Sequence, residues 1–115
     1  MLKPESYPVR IEVPAGPITL EGTRRNARMV IEYVEANDLW FNSHAWSSAV
    51  NTAASLALSA ITPRCLLQEL KPDHNPMQHE LIDEPFEQTG GWIDVPTKPG
   101  LGVEPREEVL AKYRL

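Results

Sequence analysis

Residues 39–61 read LWFNSHAWSSAVNTAASLALSAI, and this stretch decides the fold. Leu39–Asn42 is an apolar run long enough for a buried strand and too short for a helix. His44 follows almost at once. Ser47 or Ser48 can then cap a helix over about 48–61, carrying Val50, Ala53, Ala54, Leu56, Ala57, Ala60 and Ile61. Small apolar residues occupy much of its circumference, so it is expected to pack on more than one side. Pro63 stops it, and Cys65–Leu70 (CLLQEL) supplies the next short strand. Strand, helix and strand joined by short connections predict an α/β chain with a parallel sheet.

Upstream, Val9–Val13 (VRIEV) alternates as a β-type run and is stopped by Pro14 and Gly16. Thr23 is the expected N-cap of a helix ending near Ala36. Its residues Ala27, Val30, Ile31 and Val34 fall at i, i+3, i+4 and i+7, the stripe of a helix that covers a sheet. Downstream of Lys71 the character changes. Prolines at 72, 76, 85, 96, 99 and 105 leave little room for regular structure before a helical turn or two near Glu107–Tyr113. Trp92–Val95 (WIDV) reads as one short strand. The chain therefore divides into strand–helix units over 1–70 and a proline-rich segment over 71–115, expected to wrap over those units as part of the same domain.

At 115 residues the chain is one domain at most, far short of a complete β/α barrel of about 250 residues. A composition 42% apolar and 23% charged excludes wholesale disorder. The net charge of −5 and the lack of any Lys/Arg run argue against a nucleic-acid partner. Arg24, Arg25 and Arg28 share their helix with Glu32 and Glu35 and read as a solvated face. No apolar run reaches the roughly 18 residues of a membrane span, and the start MLKPESYPVR holds no signal-like apolar run, so a cytoplasmic location away from membranes is expected. Cys65, the single cysteine, excludes an intrachain disulfide and reads as a small buried apolar residue.

The run NSHAWSSAV at 42–50, continued by NTAASLALSA, resembles the last barrel units of the mandelate racemase/muconate lactonizing branch of the enolase superfamily. LLQEL followed by NPMQHELIDEP resembles the strand with a Leu-Glu motif that comes next in that family. GGWIDVPTKPGLGVEPREEVLAKY resembles its C-terminal signature. The likeness covers about residues 40–115, and more loosely 9–36 through GPIT and TRRNARM. It implies the last two to three units of a (β/α) barrel plus an irregular proline-rich tail.

The resemblance also implies a reaction: removal of the proton α to the carboxylate of an acid sugar, ending in dehydration or racemisation. A Mg²⁺ ion held by three acidic residues stabilises the enediolate in such enzymes. Barrel enzymes carry catalytic groups at the C-terminal ends of strands, where His44 lies. Imidazole titrates near neutrality and can take a proton from carbon or hand one to a departing hydroxyl. His44 is thus the expected general acid/base, the alternative being a histidine packed beside Trp46. Glu69 matches the Leu-Glu motif and is expected to face the substrate carboxylate as a hydrogen-bonding acid, or else to be a solvated strand-end residue. Ser43 and Trp46 are candidate pocket residues, with core packing the alternative for Trp46. The family's histidine is oriented by an Asp on the preceding strand. Here that position is Ile11, and Glu12 is the nearest carboxylate to stand in.

The family's Mg²⁺ carboxylates belong to earlier barrel strands, so no metal ligand is expected in this chain. His74 and His79, with Asp73 and Glu80, match no common zinc spacing. Ser47 and Ser48 lack a nucleophile-elbow context, and KPGLGVE at 98–104 lacks the ending of a phosphate loop. Two function classes follow. One is the C-terminal portion of a Mg²⁺-dependent acid-sugar dehydratase or racemase, inactive alone and completed by the missing barrel portion or by a homo-oligomer. The other is a non-catalytic assembly or interaction module derived from such a barrel.

Overall fold

The computed structural model describes residues 20–114. The strand expected at Val9–Val13, with Glu12 on it, lies outside the described residues. Four helices follow one another: α1 (Leu20–Ala36), α2 (Ala49–Ile61), α3 (Pro76–His79) and α4 (Glu107–Lys112). Helix α1 begins one turn before Thr23, so Thr23 is a helical residue and not the cap. Helix α2 starts where the serines place it. Ser48 is the N-cap in an extended conformation, and its side chain accepts from Asn51 N–H at 3.4 Å.

The two apolar runs beside α2 lie parallel, but they pair only once, at Phe41 and Cys65. Phe41 N–H donates to Arg64 C=O at 3.0 Å. The expected strands at 39–42 and 65–70 are thus a single parallel bridge and not a ladder. A parallel sheet holds when both faces and both edges are covered; here Leu66 and Leu67 are exposed, as is Trp40. Arg64 reinforces the junction through an ion pair with Asp38 and by lying over the Trp40 ring at 5.8 Å. Cys65 is half-buried and its thiol donates to Leu67 C=O, which corrects the expectation of a core cysteine.

Helix α2 buries Ala49, Thr52, Ala53, Ser55 and Leu56. Ala57, Ala60 and Ile61 are exposed, so it packs through one stripe and not around its circumference. The residues that meet that stripe come from the tail. Ala49 clusters with Leu81, Ile82 and Val109, and Val50, Met77, Phe86 and Val103 pack against them. Helix α3 was not expected among the prolines. Pro76 sits in its first turn, where a missing N–H costs nothing, and the Asn75 side chain caps it by accepting from Met77 N–H at 3.0 Å.

The rest of the tail is held by isolated pairings. Thr89 and Trp92 exchange both backbone bonds, at 2.9 and 3.0 Å, around Gly90-Gly91. Both glycines have positive φ, the geometry of a tight hairpin turn that a side chain disfavours. The expected strand at 92–95 is reduced to this one bridge at Trp92. Ile82 pairs with Pro105, and Arg106 N–H donates to Leu81 C=O at 2.7 Å, docking α4 against the core. The Arg106 guanidinium bonds Glu108 at 2.7 Å, which raises its own affinity for the proton. Glu108, held by its own N–H and by Arg106, stays below the usual carboxylate range. Both groups are at the surface.

Gly102 has φ of 73°, and a Cβ there would overlap the Pro96 side chain. Gly102→Ala is therefore expected to lower stability by about 1–3 kcal/mol from backbone strain, with the steric overlap adding to it. Urea denaturation followed by Trp fluorescence measures this; an unchanged midpoint would show that the 96–102 turn is not formed.

Candidate functional site

The site is built at the ends of the two parallel runs. The first run delivers Ser43, His44, Ala45 and Trp46 into the loop before α2; the second delivers Glu69. Their parallel pairing at Phe41 and Cys65 sets the two ends side by side. His44 Nδ1 lies 2.7 Å from Glu69 Oε2, and the same oxygen accepts from Ala45 N–H at 2.8 Å. One carboxylate oxygen thus holds both the imidazole and the backbone beside it. The His44 side chain is 76% exposed and that of Glu69 30%.

Helix α2 fixes the same loop from its other side. His44 C=O accepts from Asn51 Nδ2 at 3.3 Å, and Ala45 C=O accepts from Thr52 Oγ1 at 3.3 Å. Thr52 in turn accepts from Gln78 Nε2 of α3 at 2.6 Å. Ala45 and Thr52 are fully buried and Gln78 nearly so, where an unpaired polar group is costly. The loop therefore has little freedom at Ala45, while the imidazole next to it faces water.

Glu69 makes a contact that the sequence reading does not assign to it. The expectation set it toward a substrate carboxylate and gave the orienting role to Glu12. In the structure Glu69 is the carboxylate on His44 Nδ1, and Glu12 lies outside the described residues. Trp46 is half-exposed, its ring 6.1 Å from that of His44 and tilted by 32°; it flanks the imidazole without joining the core. Ser43 Oγ is buried and has no hydrogen-bond partner among the described residues. His74 and His79 stack at 5.0 Å, and His79 Nδ1 accepts from Asn75 N–H at 3.0 Å. Among the described residues, no group of three or more His, Cys, Asp or Glu side chains is placed to hold a metal ion. A concavity of about 780 Å³ is lined by tail residues including Phe86, Val95 and Val103, and holds neither His44 nor Glu69. No helix among these residues is long and apolar enough to cross a membrane.

Chemically, a carboxylate on Nδ1 fixes the tautomer, leaves Nε2 as the basic nitrogen, and stabilises the imidazolium once a proton arrives. That is the constitution of a general acid/base. Comparison with known proteins supplies the context. Residues 18–109 match the model of the enolase C-terminal domain-like family. The chain belongs to this family.

D-galactarolactone cycloisomerase of Agrobacterium fabrum is 31% identical over 80 residues, a match spanning 63% of this chain and 21% of that protein. D-gluconate dehydratase of Thermoproteus tenax is 35% identical over 86 residues, spanning 74% of this chain and 17% of that protein. The matches thus cover about a fifth of the length of these relatives. Among solved structures, an enolase of the mandelate racemase subgroup from Agrobacterium tumefaciens matches with a TM-score of 0.60 and 28% identity, over 81% of this chain and 24% of that one. A Burkholderia xenovorans protein described as an L-alanine-DL-glutamate epimerase, bound to magnesium and fumarate, has the same fold at a TM-score of 0.69 and 21% identity, over 77% of this chain and 22% of that one.

The shared oxygen of Glu69 makes a prediction that separates charge from hydrogen bonding. Glu69→Ala strands the buried Ala45 N–H and is expected to cost about 1–3 kcal/mol of stability. Glu69→Gln keeps an acceptor oxygen and is expected to cost less. Equal denaturation midpoints for Glu69→Ala and the parent chain would show that the Ala45 bond carries no weight.

Proposed function

We propose that His44 and Glu69 form the acid/base pair of an enzyme that labilises the proton α to a carboxylate, acting on an acid sugar as a dehydratase or racemase. The observation that carries this is the 2.7 Å contact between His44 Nδ1 and Glu69 Oε2 beside an exposed imidazole. Membership of the enolase C-terminal domain-like family and the likeness to a sugar-acid dehydratase and a sugar-lactone cycloisomerase support the reaction class.

In this proposal Glu69 accepts the Nδ1 proton and keeps Nε2 free on the solvent side. Nε2 takes a proton from the substrate carbon or, once charged, returns one to the carbon or to a departing hydroxyl. Trp46 and Ser43 border that face as substrate-contacting residues. Glu12, in the run 9–13 outside the described residues, is proposed as a further support of the histidine. Residues 1–70 and 71–115 act as one unit, since Ala49 of α2 shares its cluster with Leu81, Ile82 and Val109 of the tail. The substrate's ionised carboxylate calls for the Mg²⁺ of the family. As the family resemblance implies, its ligands are proposed to lie on earlier barrel strands.

The second reading, a non-catalytic assembly module, has its own observation. Ile61, Leu66 and Leu67 are each more than 60% exposed and carry the open side of the parallel pair. Turnover discriminates between the two. In the enzyme completed with its remaining barrel polypeptide, His44→Ala is expected to lower turnover of the acid sugar by about 10²–10⁴-fold. Near-parental turnover would assign the chemistry elsewhere. For the 115-residue chain alone, isothermal titration with Mg²⁺ is expected to show no micromolar binding; a micromolar site would place the metal ligands within it.

A further inference from the structure

The buried polar chain behind the site reaches farther than the acid/base pair needs. We infer that Thr52 and Gln78 are positioning residues for His44: the chain Gln78 Nε2–Thr52 Oγ1–Ala45 C=O sets the loop that allows Glu69 to hold the imidazole, and so couples the tail to the site. The catalytic meaning of this inference rests on the function proposed above; the structural coupling does not.

The donors and acceptors fit in one direction only. Thr52 has a single hydroxyl proton. It accepts from Gln78 Nε2 at 2.6 Å and donates to Ala45 C=O at 3.3 Å. Thr52 is 0% exposed and Gln78 3%, so water cannot replace either bond without opening the core. Ala45, also 0% exposed, sends its N–H to Glu69 at 2.8 Å. Ala45 is therefore held at both polar groups, by α2 on one side and by Glu69 on the other, and His44 is the residue before it.

Gln78 is the second of the link's two residues, and its own anchoring is asymmetric. Its Nε2 is used, while its Oε1 is buried without a partner among the described residues. A glutamine whose fold required only a filled volume would be better served by an apolar side chain. Its amide bond to Thr52 is the feature that a same-sized apolar residue cannot supply. The residue belongs to α3, four residues long, capped by Asn75 and stacked through His79 on His74. The segment after Lys71 thereby reaches the imidazole through hydrogen bonds as well as through apolar packing.

The test reads the tautomer of His44 in the 115-residue chain by long-range proton–nitrogen NMR, and requires neither substrate nor metal. In the parent, neutral His44 is expected to carry its proton mainly on Nδ1, toward Glu69. In Thr52→Val the Nδ1–H form is expected to fall to a minority, as in free histidine, while Thr52→Ser restores it. Gln78→Met, which breaks the Nε2–Oγ1 bond but leaves the hydroxyl, is expected to give an intermediate loss and carries the test if Thr52→Val does not fold. A core role alone would lower the melting temperature of these variants and leave the His44 tautomer as in the parent. That outcome overturns the inference. Absence of turnover in the completed enzyme with the tautomer coupling intact would instead count against the proposed function.

Discussion

A single carboxylate oxygen, Glu69 Oε2, stands between an imidazole and a buried peptide N–H. The rest of the site depends on that shared acceptor. Both donors lie on adjacent residues of one loop, at 2.7 and 2.8 Å, so the acid that orients His44 also fixes the backbone presenting it. A charged acceptor suits both tasks, since bonds to an ionised carboxylate are shorter and stronger than neutral ones. Neither residue alone would suffice. An exposed histidine on a free loop samples many rotamers, and the buried Ala45 N–H without Glu69 loses its acceptor.

The geometry that permits this contact is modest. Two short apolar runs lie parallel, paired once at Phe41 and Cys65, and their ends emerge on the same side. Parallel pairing is what makes the ends coincide; in an antiparallel pair, the residues after the first run would meet the start of the second. Helix α2, between the runs, then pins the loop with Asn51 and Thr52, and the tail closes on α2 through Leu81, Ile82 and Val109. Residues distant in sequence, from 44 to 109, thus bear on one loop.

Much of this was legible in the residues, and the remainder fails for identifiable reasons. A serine cap of α2 at position 47 or 48, the parallel direction of the runs around it and the helical turns after Glu107 all follow from local chemistry or from the family resemblance. The partner of His44 did not follow. The family pattern points to Glu12, which lies outside the described residues; the contact made by Glu69 spans 25 positions and is decided by which way one side chain turns. Helix α3 is hidden in the sequence because proline ordinarily breaks a helix, whereas Asn75-Pro76 is a cap followed by a first-turn proline. Thr52 carried a signal that went unused. It is one of two hydroxyls, with Ser55, on the buried face Ala49, Thr52, Ala53, Ser55 and Leu56, and a polar group on a buried face needs a partner. The start of α1 and the missing ladder are tertiary outcomes that propensity does not set.

The claim that Glu69 organises the site is tested most directly by hydrogen exchange at the Ala45 amide. In the parent chain this N–H is buried and bonded to Glu69, so it is expected to be protected. In Glu69→Ala the protection at Ala45 is expected to disappear, while the Thr52 amide, bonded to Ser48 C=O at 2.9 Å within α2, keeps its own. Equal exchange at Ala45 in the two proteins would contradict the account.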